Sequence, residues 1–200
     1  MNGPVVMPLM PWDNVLFPGM LLPLHVSGQQ DLLLVRHCLD SRGEFGLLLD
    51  AGDPIYPHSV GTVAKIIDYQ PREDDEMTLL ITGSERFCVV EMIDDDPYTR
   101  AMVEPFSFVY DVSRQELDER GAQARRLFNR CVRLIASQRG SEQGVLTLPE
   151  KTTDLGWAIA ASLVIPPPER QKLLEKESPA GLLQSEILYL ESLLAELREQ

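Results

Sequence analysis

Three histidines, three cysteines and no phosphate-binding G-x-x-x-x-G-K-[ST] run leave this 200-residue chain poor in material for the commoner chemistries. His25, His37 and His58 show no H-E-x-x-H or related ligand spacing, so no metal site is expected. Cys38, Cys88 and Cys131 are odd in number, far apart and each set in an apolar run. They read as reduced, buried thiols of a cytoplasmic protein, not as a disulfide framework. His37 precedes Cys38, yet helical neighbours point about 100° apart and make no thiolate–imidazole pair. No apolar run reaches the roughly 18 to 20 residues of a membrane span, and the first residues lack the basic region of a signal peptide. Positive charge is also scarce. Lys and Arg number 18 against 31 Asp and Glu, a net charge of −13. The imbalance is concentrated in residues 1–110, which hold 17 acidic and 6 basic side chains. Such a field repels nucleic acid and anionic membrane surfaces at long range. No catalytic residue, cofactor, metal or membrane partner is expected.

What the chain does have begins with Leu9 to Val26, a strongly apolar stretch punctuated by Pro11, Pro18 and Pro23, with Pro8 just before it. Each proline fixes φ and removes an N–H, so the stretch cannot be a helix. It reads as two buried strands joined by a Phe17-Pro18-Gly19 turn. Ser27 and Gln30 have capping-box spacing for a first helix over 27–40, with Leu32, Val35 and Leu39 as its apolar stripe. Phe45, Leu47 and Leu49 suggest a short buried strand, and residues 51–59 a loop.

From Gly61 to about Val109 the period is two. Val63, Ile67 and Tyr69 mark one strand, and Met77, Leu79 and Ile81 the next, across a polar hairpin at 71–76. Phe87, Val89 and Ile93 suggest a third strand, and Ala101 to Val109 a fourth, with Pro105 at an edge or bulge. Past Tyr110 the spacing turns helical. Leu117, Gly121, Ala124, Phe128, Cys131 and Ile135 form the seam of a long amphipathic helix. Leu155, Ile159 and Leu163 mark a second helix, 169–176 a short third, and Ser178-Pro179 the start of a last, leucine-rich one.

Three segments in this order carry a resemblance. They are the opening L-P…D-x-V-x-F-P-G-M…P-L-x-V pattern, the G-T-V-A strand with its charged hairpin and Gly83-x-x-Arg86, and the helical end D-L-G-W-A-I-A-A-S-L-V-I-P-P-P-E-R-Q-K-L-L-E. Together they resemble the N-terminal, substrate-binding domain of the Lon protease family. The resemblance implies a stand-alone LON domain without the ATPase and protease modules. The fold it implies is α+β: a PUA-like antiparallel β-barrel or sandwich over residues 1–110, then an α-helical bundle over 111–200. Ser178-Pro179-Ala180-Gly181 scrambles the Pro-Ser-Ala-Gly around the Lon nucleophile. Ser27-Gly28-Gln29-Gln30 departs from the charged Gly-Arg-Glu-Lys of many relatives.

By the same resemblance the function is non-enzymatic recognition of unfolded or partly folded polypeptide, as a substrate-binding or adaptor module alongside protease or chaperone machinery. Methionine and aromatic side chains suit an adaptable apolar patch, and Trp12, Phe17 and Met20 are the candidates to flank it. The alternative is RNA binding through the PUA-like fold, for which Arg126, Arg130 and Arg133 supply a basic stripe. The net charge and the lack of interleaved aromatics speak against it. Glu73 to Glu76 and Asp94 to Asp96 lack the order of a calcium loop and read as solvated turns.

Overall fold

The computed structural model describes residues 3–199 apart from 51, 53–54, 56–58, 94–96 and 139–146, so His58 and Asp94 to Asp96 lie outside the described residues. In chain order the elements are β1 (Val5–Trp12), β2 (Leu21–Val26), α1 (Gln29–Leu39), β3 (Glu44–Leu49), β4 (Val60–Pro71), β5 (Met77–Ile93), β6 (Arg100–Pro105), α2 (Arg114–Gln138), α3 (Thr152–Ser162), α4 (Pro167–Leu174) and α5 (Pro179–Glu199). They make an α+β protein of two compact units. The first comprises Met1–Ser107 with Ile165–Glu175, the second Phe108–Val164 with Lys176–Gln200. Thus α4 joins the β unit although it follows the long helix, and the units interleave where the sequence pattern divides the chain once.

In the first unit the strand order is β2-β5-β4-β3-β1-β6, and β5 also pairs with β6. That extra pairing closes β1, β3, β4, β5 and β6 into a barrel and leaves β2 as an added edge strand. All pairs are antiparallel except β1 with β3. The two strands of the opening stretch are therefore not partners of each other. The second and third expected strands are one. β5 runs unbroken for 17 residues, with Leu79, Ile81, Phe87 and Val89 all turned inward. Gly83, which invites a turn, stays extended in its pairing with Ala64, and the absence of a side chain there leaves room for the Phe17 carbonyl, which a Cβ would strike.

α1 covers the core cluster of Leu24, Val26, Phe45 and Ile81 with Leu34, Val35 and Cys38. Its N-cap is Gly28, without a side-chain cap, so the capping box expected at Ser27 does not form. β6 stops at Pro105, short of the expected Val109, since proline has no N–H to extend the ladder. α4 begins at Pro167, earlier than expected, because proline is well suited to a helix's first turn.

The second unit is built on α2, whose buried seam is Leu117, Gly121, Ala124, Phe128 and Cys131. Along it Arg120 donates to the Ala180 carbonyl, the Cys131 thiol to Leu190 and Gln138 to Leu197. These rising pairs make α2 and α5 run side by side in the same direction. Gly181 N–H donates to Ser178 Oγ at 3.1 Å, the N-cap the sequence suggests for α5. Phe108 stacks on Trp157 of α3 with ring centroids 5.1 Å apart.

Candidate functional site

The proline-rich opening positions the surface of most interest. Met20 N–H donates to the Phe17 carbonyl at 3.0 Å, with Pro18 and Gly19 between them and Gly19 at φ +78°. This is the pattern of a type II turn, which favours proline second and glycine third. Two further bonds, Gly19 N–H to the Gly83 carbonyl and Gly83 N–H to the Met20 carbonyl, both 2.9 Å, tie the turn to β5.

α4 locks the loop from the other side. The Arg170 guanidinium lies 4.8 Å from the centre of the Phe17 ring and donates to the Val15 carbonyl at 3.3 Å. Next along α4, Gln171 donates to the Val60 carbonyl at 2.9 Å, and Arg86 reaches the Leu174 carbonyl at 2.6 Å. Burial lowers the pKa of both arginines, that of Arg86 to about 10, which still leaves it charged at neutral pH.

The three candidate residues therefore part company. Phe17 is 0% exposed, a core ring beneath Arg170. Its expected place beside an exposed patch is corrected: the ring is buried in the core, with the Arg170 guanidinium of α4 over its face. Trp12 and Met20 are half-buried, packed against the cluster that includes Met10, Leu24 and Ile81. Beside Met20, Leu21 is 59% exposed. Pairing of Leu21 with Thr82 and Pro23 with Leu80 sets these side chains on the outer face of the sheet. Among the described residues the far edge of β2 pairs with no strand. The sequence held this signal in the alternation Leu21-Pro23-His25 against Leu22-Leu24-Val26, half of it exposed and half facing the core.

Other side chains with chemical potential are dispersed. Cys38 is fully buried, with its thiol pushed up to about 11 by desolvation, while the neighbouring His37 is exposed and lies 5.8 Å from the Tyr98 ring. Burial also raises the Cys88 and Cys131 thiols. His25 lies 3.3 Å from Glu76, and Arg36 pairs with Asp75 at 3.3 Å across the acidic turn. No cluster of three His, Cys, Asp or Glu residues suited to a metal occurs among the described residues. Arg126, Arg130 and Arg133 are exposed along α2. No helix among the described residues is long and apolar enough to cross a membrane.

The family model for the ATP-dependent protease La (LON) substrate-binding domain matches residues 6–192. The chain belongs to that family. Lon protease of Anaeromyxobacter dehalogenans is 28% identical over 182 residues, which cover 86% of this chain and 21% of the relative. Lon protease 2 of Myxococcus xanthus shares the same identity and covers 22% of its length. The chain thus spans about a fifth of the length of the curated relatives it matches. Among solved structures, the Lon N-terminal domain protein of Xanthomonas campestris superposes with a TM-score of 0.65 at 26% identity, covering 90% of this chain and 96% of that one. The N-terminal domain of a Mycobacterium avium complex Lon protease reaches 0.72 over 94% and 98% at 15% identity, a likeness of fold. The LON-domain fold accounts for both units of the chain.

Proposed function

We propose that this LON-domain chain is a non-enzymatic module that recognises unfolded or partly folded polypeptide, as a substrate-binding or adaptor element beside protease or chaperone machinery. The observation that carries it is the open edge of β2, with Leu21 exposed on the outer face and Met20 and Trp12 half-buried nearby in sequence or core. An extended segment adding to that edge gains main-chain hydrogen bonds that are indifferent to sequence, while the apolar side chains favour hydrophobic stretches. The family description, a substrate-binding domain, supports the same reading. The buried Cys38 thiol, which desolvation keeps protonated, and the exposed His37 beside it fit recognition better than nucleophilic chemistry. The affinity expected is micromolar, because a disordered ligand loses its own conformational entropy on binding.

Trp12, half-buried against the same core cluster as Met20, offers a spectroscopic probe of the opening stretch. In a Trp157→Phe variant, which keeps an aromatic ring against Phe108, Trp12 is the remaining tryptophan. Titration with a permanently unfolded polypeptide of near-zero net charge should give a saturable blue shift. An emission spectrum that stays constant to saturating concentrations counts against a site near Trp12.

A further inference from the structure

A second surface, in the helical unit, has a different chemistry. An open groove of about 1090 Å³ runs along the first half of α2 and the start of α3. Its floor includes Leu117, Gly121 and Leu155. The helices approach closely because Gly121 has no side chain: an ideal Cβ there would lie 2.6 Å from the Thr152 methyl. Tyr110, 65% exposed, stands at the rim as a free aromatic face.

Charge distinguishes the groove from the rest of the chain. Arg114, Arg125, Arg126 and Lys151 line it against two carboxylates, Asp118 and Glu150. A local positive excess thus sits in a protein of net charge −13. Asp118 already accepts from Thr152 at 2.8 Å and lies 3.9 Å from Arg114, and Lys151 lies 3.1 Å from Asp154. Arg125 donates to the Leu148 and Pro149 carbonyls. Arg126 is exposed and has no ion-pair partner among the described residues.

We infer that this groove binds an extended polypeptide segment in which acidic and apolar residues are mixed. From Arg114 to Arg126 the helix rises about 18 Å, enough for roughly five or six residues of extended chain. Apolar side chains of the ligand would lie on Leu117 and Leu155, and its carboxylates would face Arg126, Arg114 and Lys151. The two carboxylates in the lining disfavour a phosphate backbone, whose charge repeats at every nucleotide and finds no uniform basic track here. Such binding presupposes the polypeptide recognition proposed above and gives it a second contact surface with its own ligand preference.

The test is fluorescence anisotropy of a labelled short peptide alternating leucine and glutamate, titrated with the full chain. Wild-type protein should bind it saturably and bind the leucine–lysine counterpart at least about tenfold more weakly, with affinity for the acidic peptide falling as salt screens the groove. The R126E K151E double variant should lose about tenfold in affinity for the acidic peptide, while R130E, on the same helix but outside the groove, should stay within about twofold. Circular dichroism confirms that each variant is folded. Loss of acidic-peptide binding in L21D but not in R126E K151E overturns the groove and leaves the β2 edge as the site. Failure of the wild type to bind the acidic peptide while it binds a neutral unfolded polypeptide also overturns the groove, and failure with both probes removes the wider reading too. Tighter binding of a short single-stranded RNA than of the acidic peptide, or a dimer that R126E dissociates, would assign the groove to another occupant and overturn the proposal.

Discussion

Arg170 shows how much a single buried cation can fix. It covers the Phe17 ring and donates to the Val15 carbonyl, so removing it uncovers a core aromatic and orphans a buried acceptor. Arg170→Ala should cost about 2–3 kcal/mol in urea unfolding, the scale of a lost charged hydrogen bond. Arg170→Lys should recover little, because an ammonium does not stack flat on a ring. Glu186 is the opposite case, a carboxyl at 0% exposure on α5 whose oxygens make no well-formed hydrogen bond among the described residues. Burial holds its pKa well above the ordinary 4.5, with the Ala160 backbone a weaker opposing influence. The folded chain keeps this proton where the unfolded chain has released it. Stability from this group therefore falls as pH rises from about the unfolded value towards the raised folded one. Glu186→Leu should stabilise the protein by about 1–3 kcal/mol at pH 8 and much less near pH 4.5, read from urea midpoints at the two pH values. An equal gain at both would contradict the assignment. Neither residue announces itself in sequence. Arg170 follows a proline run in a helix of eight residues, and Glu186 lies among leucines like any exposed helical glutamate.

At the scale of elements, periodicity guides the helices and β5 but not β4. The seam of α2 is buried from Leu117 to Cys131, with Ile135 half-buried, and β5 follows the alternation read from Leu79 and Ile81. β4 does not keep Val63, Ile67 and Tyr69 on one face: residues 60–64 are buried without a break, and past the register shifts at Thr62/Ala64 and Ile66/Asp68 both Ile67 and Tyr69 are exposed. What alternation could not reveal was pairing. β1 and β2 flank one turn yet bind different neighbours, because register depends on partners far away in the chain. Nor does glycine by itself mark a turn. Gly83 permits the Phe17 backbone to press against a continuous strand, so Gly83→Ala should destabilise by about 1–3 kcal/mol through overpacking. By contrast, Ser178→Ala should cost about 1 kcal/mol for the lost cap of α5, and thermal unfolding of the two variants measures the difference. The edge strand β2 was partly legible, since its exposed half carries Pro23, which has no N–H for a ladder, and the polar His25 where a covered strand would be apolar throughout.

For the molecule as a whole, the family resemblance accounts for more than any single pattern, because three weak segments in the right order span the chain. The fold reads well from that order, whereas the site reads poorly. Phe17 and Leu21 are both apolar and four residues apart, yet Phe17 lies in the core beneath Arg170 while the pairing of Leu21 with Thr82 leaves it on the surface. The acidity of residues 1–110 sets up a field that repels polyanions at long range, while the β2 edge offers main-chain groups that need no charge. The most direct measurement is fluorescence anisotropy of a labelled, permanently unfolded polypeptide of near-zero net charge, titrated with wild-type and L21D protein at low and high salt. Saturable binding that persists at high salt and weakens about tenfold or more in L21D is the expected result, since a charge on an apolar strand edge opposes both burial and pairing. No binding at either salt, or binding unchanged by L21D, would contradict recognition of polypeptide at the β2 edge.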